Sequence, residues 1–197
     1  MEGTGADGDL WARARQHDGA AFAELYRLHA DRVYTHLYQR TRSRDDSEDL
    51  TAEVFATAWR KRETVEVHPT AGILPWLLLC ANHLLRNRGR SIGRARQLLA
   101  KVPRVVVEPD VAQGVVDDAE DKWNLHVLSE ILTTLRPADQ DVIQLCVVQG
   151  IAPQTVAELS GERAGTVRSR LSRALARVRE LHADRPSTPN EDTRSIR

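Results

Sequence analysis

The chain has 197 residues, 41% hydrophobic and 28% charged, with 28 basic and 28 acidic side chains in balance. This is ordinary soluble-globular composition, with room for one or two modest cores. It holds no apolar run long enough to span a bilayer, and the acidic, Gly-rich start from Met1 to Asp9 lacks the basic-then-apolar order of a signal peptide. The expectation is a cytoplasmic protein without membrane insertion.

The zero net charge hides a segregation. From His83 to Arg104 there are seven Lys/Arg and no acid; from Val105 to Asp121, six acids and no base; from Arg163 to Arg179, six Arg and one sign only. Two basic patches suit a protein that touches phosphate at two places. Of the 28 basic residues 25 are Arg, which base composition of the gene also favours, but that bias does not explain the clustering. Cys80 and Cys146 lie in apolar runs and read as core thiols. Cys80 and His83 form a C-x-x-H pair with no second ligand pair nearby, so no closed zinc site and no cofactor is expected.

Strand signals are nearly absent, and helical periodicity dominates. Phe22, Leu25, Tyr26, His29, Val33 and Leu37 recur at three- and four-residue steps, predicting a helix from about Gly19 to Arg40. After a polar break at 43–47, Asp46 or Ser47 caps a second helix with Leu50, Val54, Phe55, Ala58 and Trp59 on one side. A Pro/Gly break at 68–72 precedes a third helix, Ile73 to Arg90, apolar then basic. Residues 93–121 carry two prolines, two glycines and little periodicity, and read as a flexible linker. Helical spacing resumes from Trp123 to Leu135, then from Pro137 to a stop at Gly150. A short helix over 153–159, a turn at 160–162, a long helix from about Ala164 to His182 and a polar, disordered tail over 184–197 complete the chain. The expected fold is all-α: a domain over 10–92, the linker over 93–121 and a second domain over 122–183.

The stretch from Ile151 to Arg179 carries the most information. A short helix, a tight turn at Ser160-Gly161 and an Arg-bearing helix make a helix-turn-helix. Val156, Ala157, Val167, Leu171, Leu175 and Val178 pack inward; Arg163, Thr166, Arg168, Ser169 and Arg173 stand outward near the start of the second helix. Recognition helices read base edges from that end, and Arg matches guanine bidentately. The same pattern also fits a plain three-helix bundle with a solvated Arg face.

Gly150 to Arg173, G-I-A-P-Q-T-V-A-E-L-S-G-E-R-A-G-T-V-R-S-R-L-S-R, resembles the promoter-reading helix-turn-helix of sigma-70-type factors of the extracytoplasmic-function (ECF) group. Leu135-Arg136-Pro137 to Val148 is similar to that family's preceding L-P-x-x-x-R-x-V helix. Upstream, Asp46 to Arg60, D-S-E-D-L-T-A-E-V-F-A-T-A-W-R, resembles the family's polymerase-clamp segment, and Leu74-Pro75-Trp76-Leu77 through Ala81-Asn82 to Arg90 resembles its −10 melting segment. The matches cover about residues 10–92 and 122–180, in the family's order.

The resemblance implies a sigma factor without catalytic chemistry. Asp49, Leu50, Glu53, Phe55 and Trp59 would meet the β′ clamp of core RNA polymerase. Trp76, Asn82, Arg86, Asn87 and Arg90 would hold opened −10 DNA, and Arg163, Thr166, Arg168, Ser169 and Arg173 would read the −35 duplex. It is also compatible with a monomer when free and with control by an anti-sigma partner, and the acidic strip from Glu108 to Asp121 reads either as a segment that enters the polymerase channel or as a solvated acidic spacer. Ala52, Ala81, Arg86, Ala152 and Arg163 depart from the family's usual Gln, Arg, acid, Ser cap and small residue, which puts base preference and capping at those positions in doubt. Two other classes stand beside this reading. A helix-turn-helix regulator that never meets polymerase predicts tight autonomous operator binding. An enzyme could draw on His29, His36, His83 and Asp49, although no nucleophile elbow, phosphate loop or metal spacing accompanies them.

Overall fold

A computed structural model describes residues 3–98, 130–132 and 134–183; for 3–6 and 90–98 it describes the backbone alone. The described residues form seven α-helices: α1 (Gly3–Arg15), α2 (Gly19–Thr41), α3 (Arg44–Lys61), α4 (Leu74–Leu98), α5 (Pro137–Ile143), α6 (Pro153–Ser160) and α7 (Ala164–Ala183). A short helical piece at 130–132 precedes α5, and no strand occurs among the described residues. The all-α expectation holds.

Helix α1 was missed by periodicity, because Gly3, Gly5 and Gly8 disguise it. It matters nonetheless. Trp11 and Ala14 are buried, and the Trp11 indole N–H donates to the Val65 carbonyl at 3.0 Å. On the same helix Asp7 is buried against His29, 3.0 Å from its Nε2. Gly72 lets the chain turn beneath it: its φ is +68°, and a Cβ there would come within 2.4 Å of the Asp7 carboxylate. Both the conformation and the space demand glycine.

Helix α2 begins at Asp18, whose Oδ1 accepts the backbone N–H groups of Ala20 and Ala21. The cap of α3 is Ser43, not Asp46 or Ser47: Ser43 Oγ accepts the Asp46 N–H at 3.3 Å. Asp45 and Asp46 thereby fall in the first turn, where acids oppose the positive end of the helix dipole. Helix α4 runs eight residues beyond the expected Arg90, so 93–98 is helix rather than linker. The remainder of the linker (99–121), the segment 122–129 and the tail 184–197 lie outside the described residues.

The apolar stripes of α1–α4 meet in a core built on Leu25, Val33, Leu37, Leu50, Val54, Leu77 and Leu78. Each such side chain, fully buried, contributes roughly 1.5–3 kcal/mol against solvent exposure. In the C-terminal group Ile131, Val142, Leu145, Val156, Val167 and Ala174 fill the equivalent role. Pro137 starts α5 at a position where its missing N–H costs nothing. One π-helical turn, Gln144–Val148, extends α5, and Gly150 closes it at φ +68° while the Ile151 N–H donates to the Leu145 carbonyl at 2.9 Å.

The two groups touch. Arg40 Nη1 lies 2.7 Å from Asp141 Oδ1, Arg32 donates to Gln149 at 3.1 Å, and Gln144 donates to Gln39. His68 makes a fourth contact. Its Nδ1 accepts the Ala71 N–H at 3.1 Å, so the proton sits on Nε2 and is donated to Glu158 Oε2 at 3.1 Å.

Candidate nucleic-acid interface

Helices α6 and α7 are joined by Gly161 at φ +69°, whose N–H donates to the Ala157 carbonyl. The left-handed turn costs glycine nothing and most L-residues about 1–2 kcal/mol. Val156, Ala157, Val167 and Ala174 are buried between the helices, and Leu171 and Val178 pack against them. Helix α6 starts with Ala152 at its cap and no side-chain acceptor, as the sequence foretells.

With that side inward, Arg163, Thr166, Arg168, Ser169 and Arg173 all stand exposed. Arg173 Nε donates to the Ser169 carbonyl at 3.2 Å, and Ser169 Oγ to that of Gly165. Arg170 is committed elsewhere, in a fork on Glu162 at 3.1 and 2.8 Å that braces the turn; that pairing raises its pKa. The arginine face therefore divides into a bracing residue and others presented to solvent.

On α3 the acidic side is separate. Asp49 and Glu53 are exposed one turn apart, with Ala52 and Ala56 beside them. Leu50 (1% exposed) and Phe55 (4%) are not on this surface. They are core residues and shape the face from beneath, a correction to their assignment as contacts. Trp59 is half-buried: Phe22 packs on one side at 5.0 Å between centroids, and the Arg62 guanidinium lies 4.3 Å over the ring. An aromatic stripe at Tyr26, Tyr34 and Tyr38 runs along α2 next to Arg44, Glu48 and Thr51, with Tyr34 stacked on Tyr38 at 5.9 Å. Its spacing of eight and four residues was the available signal.

On α4, Trp76 is half-buried against the core, while Arg86 and Asn87 are exposed. The Arg90 side chain lies outside the described residues. Asn82 is corrected: it is 0% exposed, and its Oδ1 accepts from His36 Nε2 at 2.8 Å and from Arg40 Nη1 at 3.3 Å. A buried amide anchoring two cations or donors cannot simultaneously meet a base. Arg88 pairs with Asp46 and ties α4 to α3. Arg86 reaches Asp141 Oδ2 at 3.4 Å. Sequence reading overlooked Arg40 and Asp141, which are 101 residues apart.

Both cysteines are half-buried and reduced. Burial pushes the Cys80 thiol up to about 11, so it is a packing group rather than a nucleophile. No metal-binding cluster of His, Cys, Asp and Glu occurs among the described residues. Among them, no helix is long and apolar enough to cross a membrane.

Residues 25–95 match the family model for sigma-70 region 2. That stretch carries a sigma-70 region 2 domain. The chain's relatives within the ECF group include the ECF RNA polymerase sigma factor SigE of Mycolicibacterium smegmatis, 30% identical over 83% of this chain and 62% of that protein. Another is the ECF RNA polymerase sigma factor BldN of Streptomyces coelicolor, 26% identical over 89% of this chain and 66% of its own length. The chain thus spans just under two thirds of these two relatives. The Bartonella quintana sigma factor RpoE, solved in complex with the anti-sigma factor NepR, is 25% identical, with a TM-score of 0.65 over 83% of this chain and 98% of that one. The region 2 match takes in α2 from Leu25 onward, α3 and most of α4.

Proposed function

We propose that the chain binds core RNA polymerase and directs transcription initiation. In this reading α3 seats on the polymerase clamp through Asp49, Glu53 and the exposed edge of Trp59, and α4 holds opened −10 DNA with Arg86, Asn87 and Arg90. Helices α6 and α7 place Arg163, Thr166, Arg168, Ser169 and Arg173 in the −35 major groove. The division falls at 10–92 and 122–183, with α1 now added to the first unit.

The observation that carries the reading is the sorting of charge by element. An acidic face on α3 has no cation one turn away to satisfy it, while an arginine face projects from the second helix of a helix-turn-helix. One face suits a basic protein surface and the other suits phosphate. The fit of region 2 to the first element set supports the same division of labour. Each surface alone is small, so affinity would come from linking weak sites through the polymerase. An anti-sigma partner is part of the proposal, by analogy with the Bartonella complex.

The test is charge reversal. Asp49→Lys with Glu53→Lys, both on an exposed face, should leave the melting temperature within about 3 °C while abolishing co-elution with core RNA polymerase. Unchanged co-elution would remove α3 from the interface.

A further inference from the structure

We propose that Arg40 and Arg86 form a binding site for one backbone phosphate of single-stranded DNA, and that the Asp141 carboxylate occupies this site in the free chain. The proposal rests on the reading of α4 as a DNA-facing helix.

The geometry is that of a filled anion site. Asp141 presents Oδ1 to Arg40 at 2.7 Å and Oδ2 to Arg86 at 3.4 Å, so two guanidinium groups share the two oxygens of one anion. A phosphodiester offers the same arrangement through its two non-bridging oxygens. The cations come from the N-terminal group and the anion from the C-terminal group, so the pair closes a seam between elements rather than tying one helix together. Arg40 is held ready: Asn82 Oδ1 accepts from it, and Asn82 is itself fixed by buried His36. Its side chain is 13% exposed, and that of Asp141 11%. A carboxylate so placed is desolvated at a cost that its cationic neighbours, Arg40 and Arg86 first, offset. A nucleic-acid phosphate, already anionic and brought in along Asn87 and the basic end of α4, replaces it without leaving a buried cation unpaired.

Buried apolar residues of the two groups belong to one continuous cluster, and around it the other polar contacts of the seam are reversible. Arg32–Gln149, Gln39–Gln144 and His68–Glu158 are contacts whose partners regain water on opening. Opening the seam therefore exposes α4 and frees the helix-turn-helix to move away from it. The chain would carry its own competitor for the −10 strand, set aside when polymerase holds the two groups apart.

The test uses the full chain and a fluorescein-labelled single-stranded 12-mer, with anisotropy followed as a function of salt. Asp141→Asn should bind roughly tenfold more tightly at low salt, the size of one charge-assisted contact. Its log–log salt slope should steepen by about 0.7, the value for one added phosphate on a single strand. Adding Arg86→Gln to that variant should cancel the gain. Asp9→Asn, which changes net charge equally on exposed α1, should gain nothing. Glu158→Ala opens the seam at its exposed rim and should shift affinity in the same direction, which keeps the test alive if Asp141→Asn folds poorly. Tighter binding that survives Arg86→Gln, or no gain in either seam variant, overturns the proposal. If the seam variants gain nothing while the wild-type chain still supports start-site selection by core polymerase, the mask fails and the sigma-factor reading stands.

Discussion

His36 is a titratable side chain set deep in the core. It is fully buried on α2, its Nε2–H donates to Asn82, and its Nδ1 has no hydrogen-bond partner among the described residues. Burial pulls its pKa from 6.5 to about 4, with the nearby Arg40 charge adding to the fall. The ring is therefore neutral when folded and ionises more readily when unfolded. Stability is full above about pH 6.5 and is lost as pH falls toward 4, by at most about 1.4 kcal/mol per pH unit from this group. Urea midpoints at pH 7 and pH 5 should differ more for the wild type than for His36→Gln; identical shifts would contradict the buried neutral ring. Trp11 gives a second check. Trp11→Ala should cost about 3–5 kcal/mol by cavity formation, and Trp11→Phe less, because only the indole donor to Val65 and part of the ring are lost. Equal melting temperatures for Trp11→Ala and wild type would detach α1 from the fold. The sequence displayed His36, Asn82, Arg40 and Trp11 plainly as residues. Their roles were hidden because each depends on a partner 42 to 54 residues away, which no local period encodes.

At the scale of elements, the helix-turn-helix was the most legible part of the chain. Its signals are local: a glycine at the one position needing positive φ, a small Ala157 at the crossing, and inward apolar spacing on both helices. Gly161→Ala should cost about 1–2 kcal/mol although open space surrounds the position, since the penalty is conformational. A neutral effect would mean the turn readily adopts another shape. Arg168→Ala should leave helix content unchanged and lower the salt slope of duplex binding by about 0.9, one B-DNA phosphate; an unaltered slope would take Arg168 off the DNA surface. The boundaries were less legible. Ser43 supplied the α3 cap because its β-region backbone leaves Oγ over the Asp46 N–H, while the downstream acids that resembled caps serve the dipole. Helix α4 outlasts its apolar half because Arg and Gln are good helix formers, so basic composition after Arg90 did not end it. The π turn after α5, at Gln144–Val148, left no sequence mark.

For the whole molecule, order and charge along the chain pointed to two helical groups with different electrostatic faces, and residues 25–95 match region 2 of the family. What could not be read was the contact between them. The polar pairs of the seam join residues separated by 55 to 117 positions, and binary pattern carries no information about such pairing. It bears on the proposed function: the surfaces proposed for polymerase on α3 and for duplex on α7 are exposed, whereas part of the α4 surface is engaged by Asp141. The measurement that tests the central claim most directly is run-off transcription by purified bacterial core RNA polymerase on sheared genomic DNA from the source organism, with and without the chain. The account predicts discrete transcripts with defined 5′ ends that appear only with the chain and disappear with Asp49→Lys/Glu53→Lys. Transcription indistinguishable from core enzyme alone would contradict it.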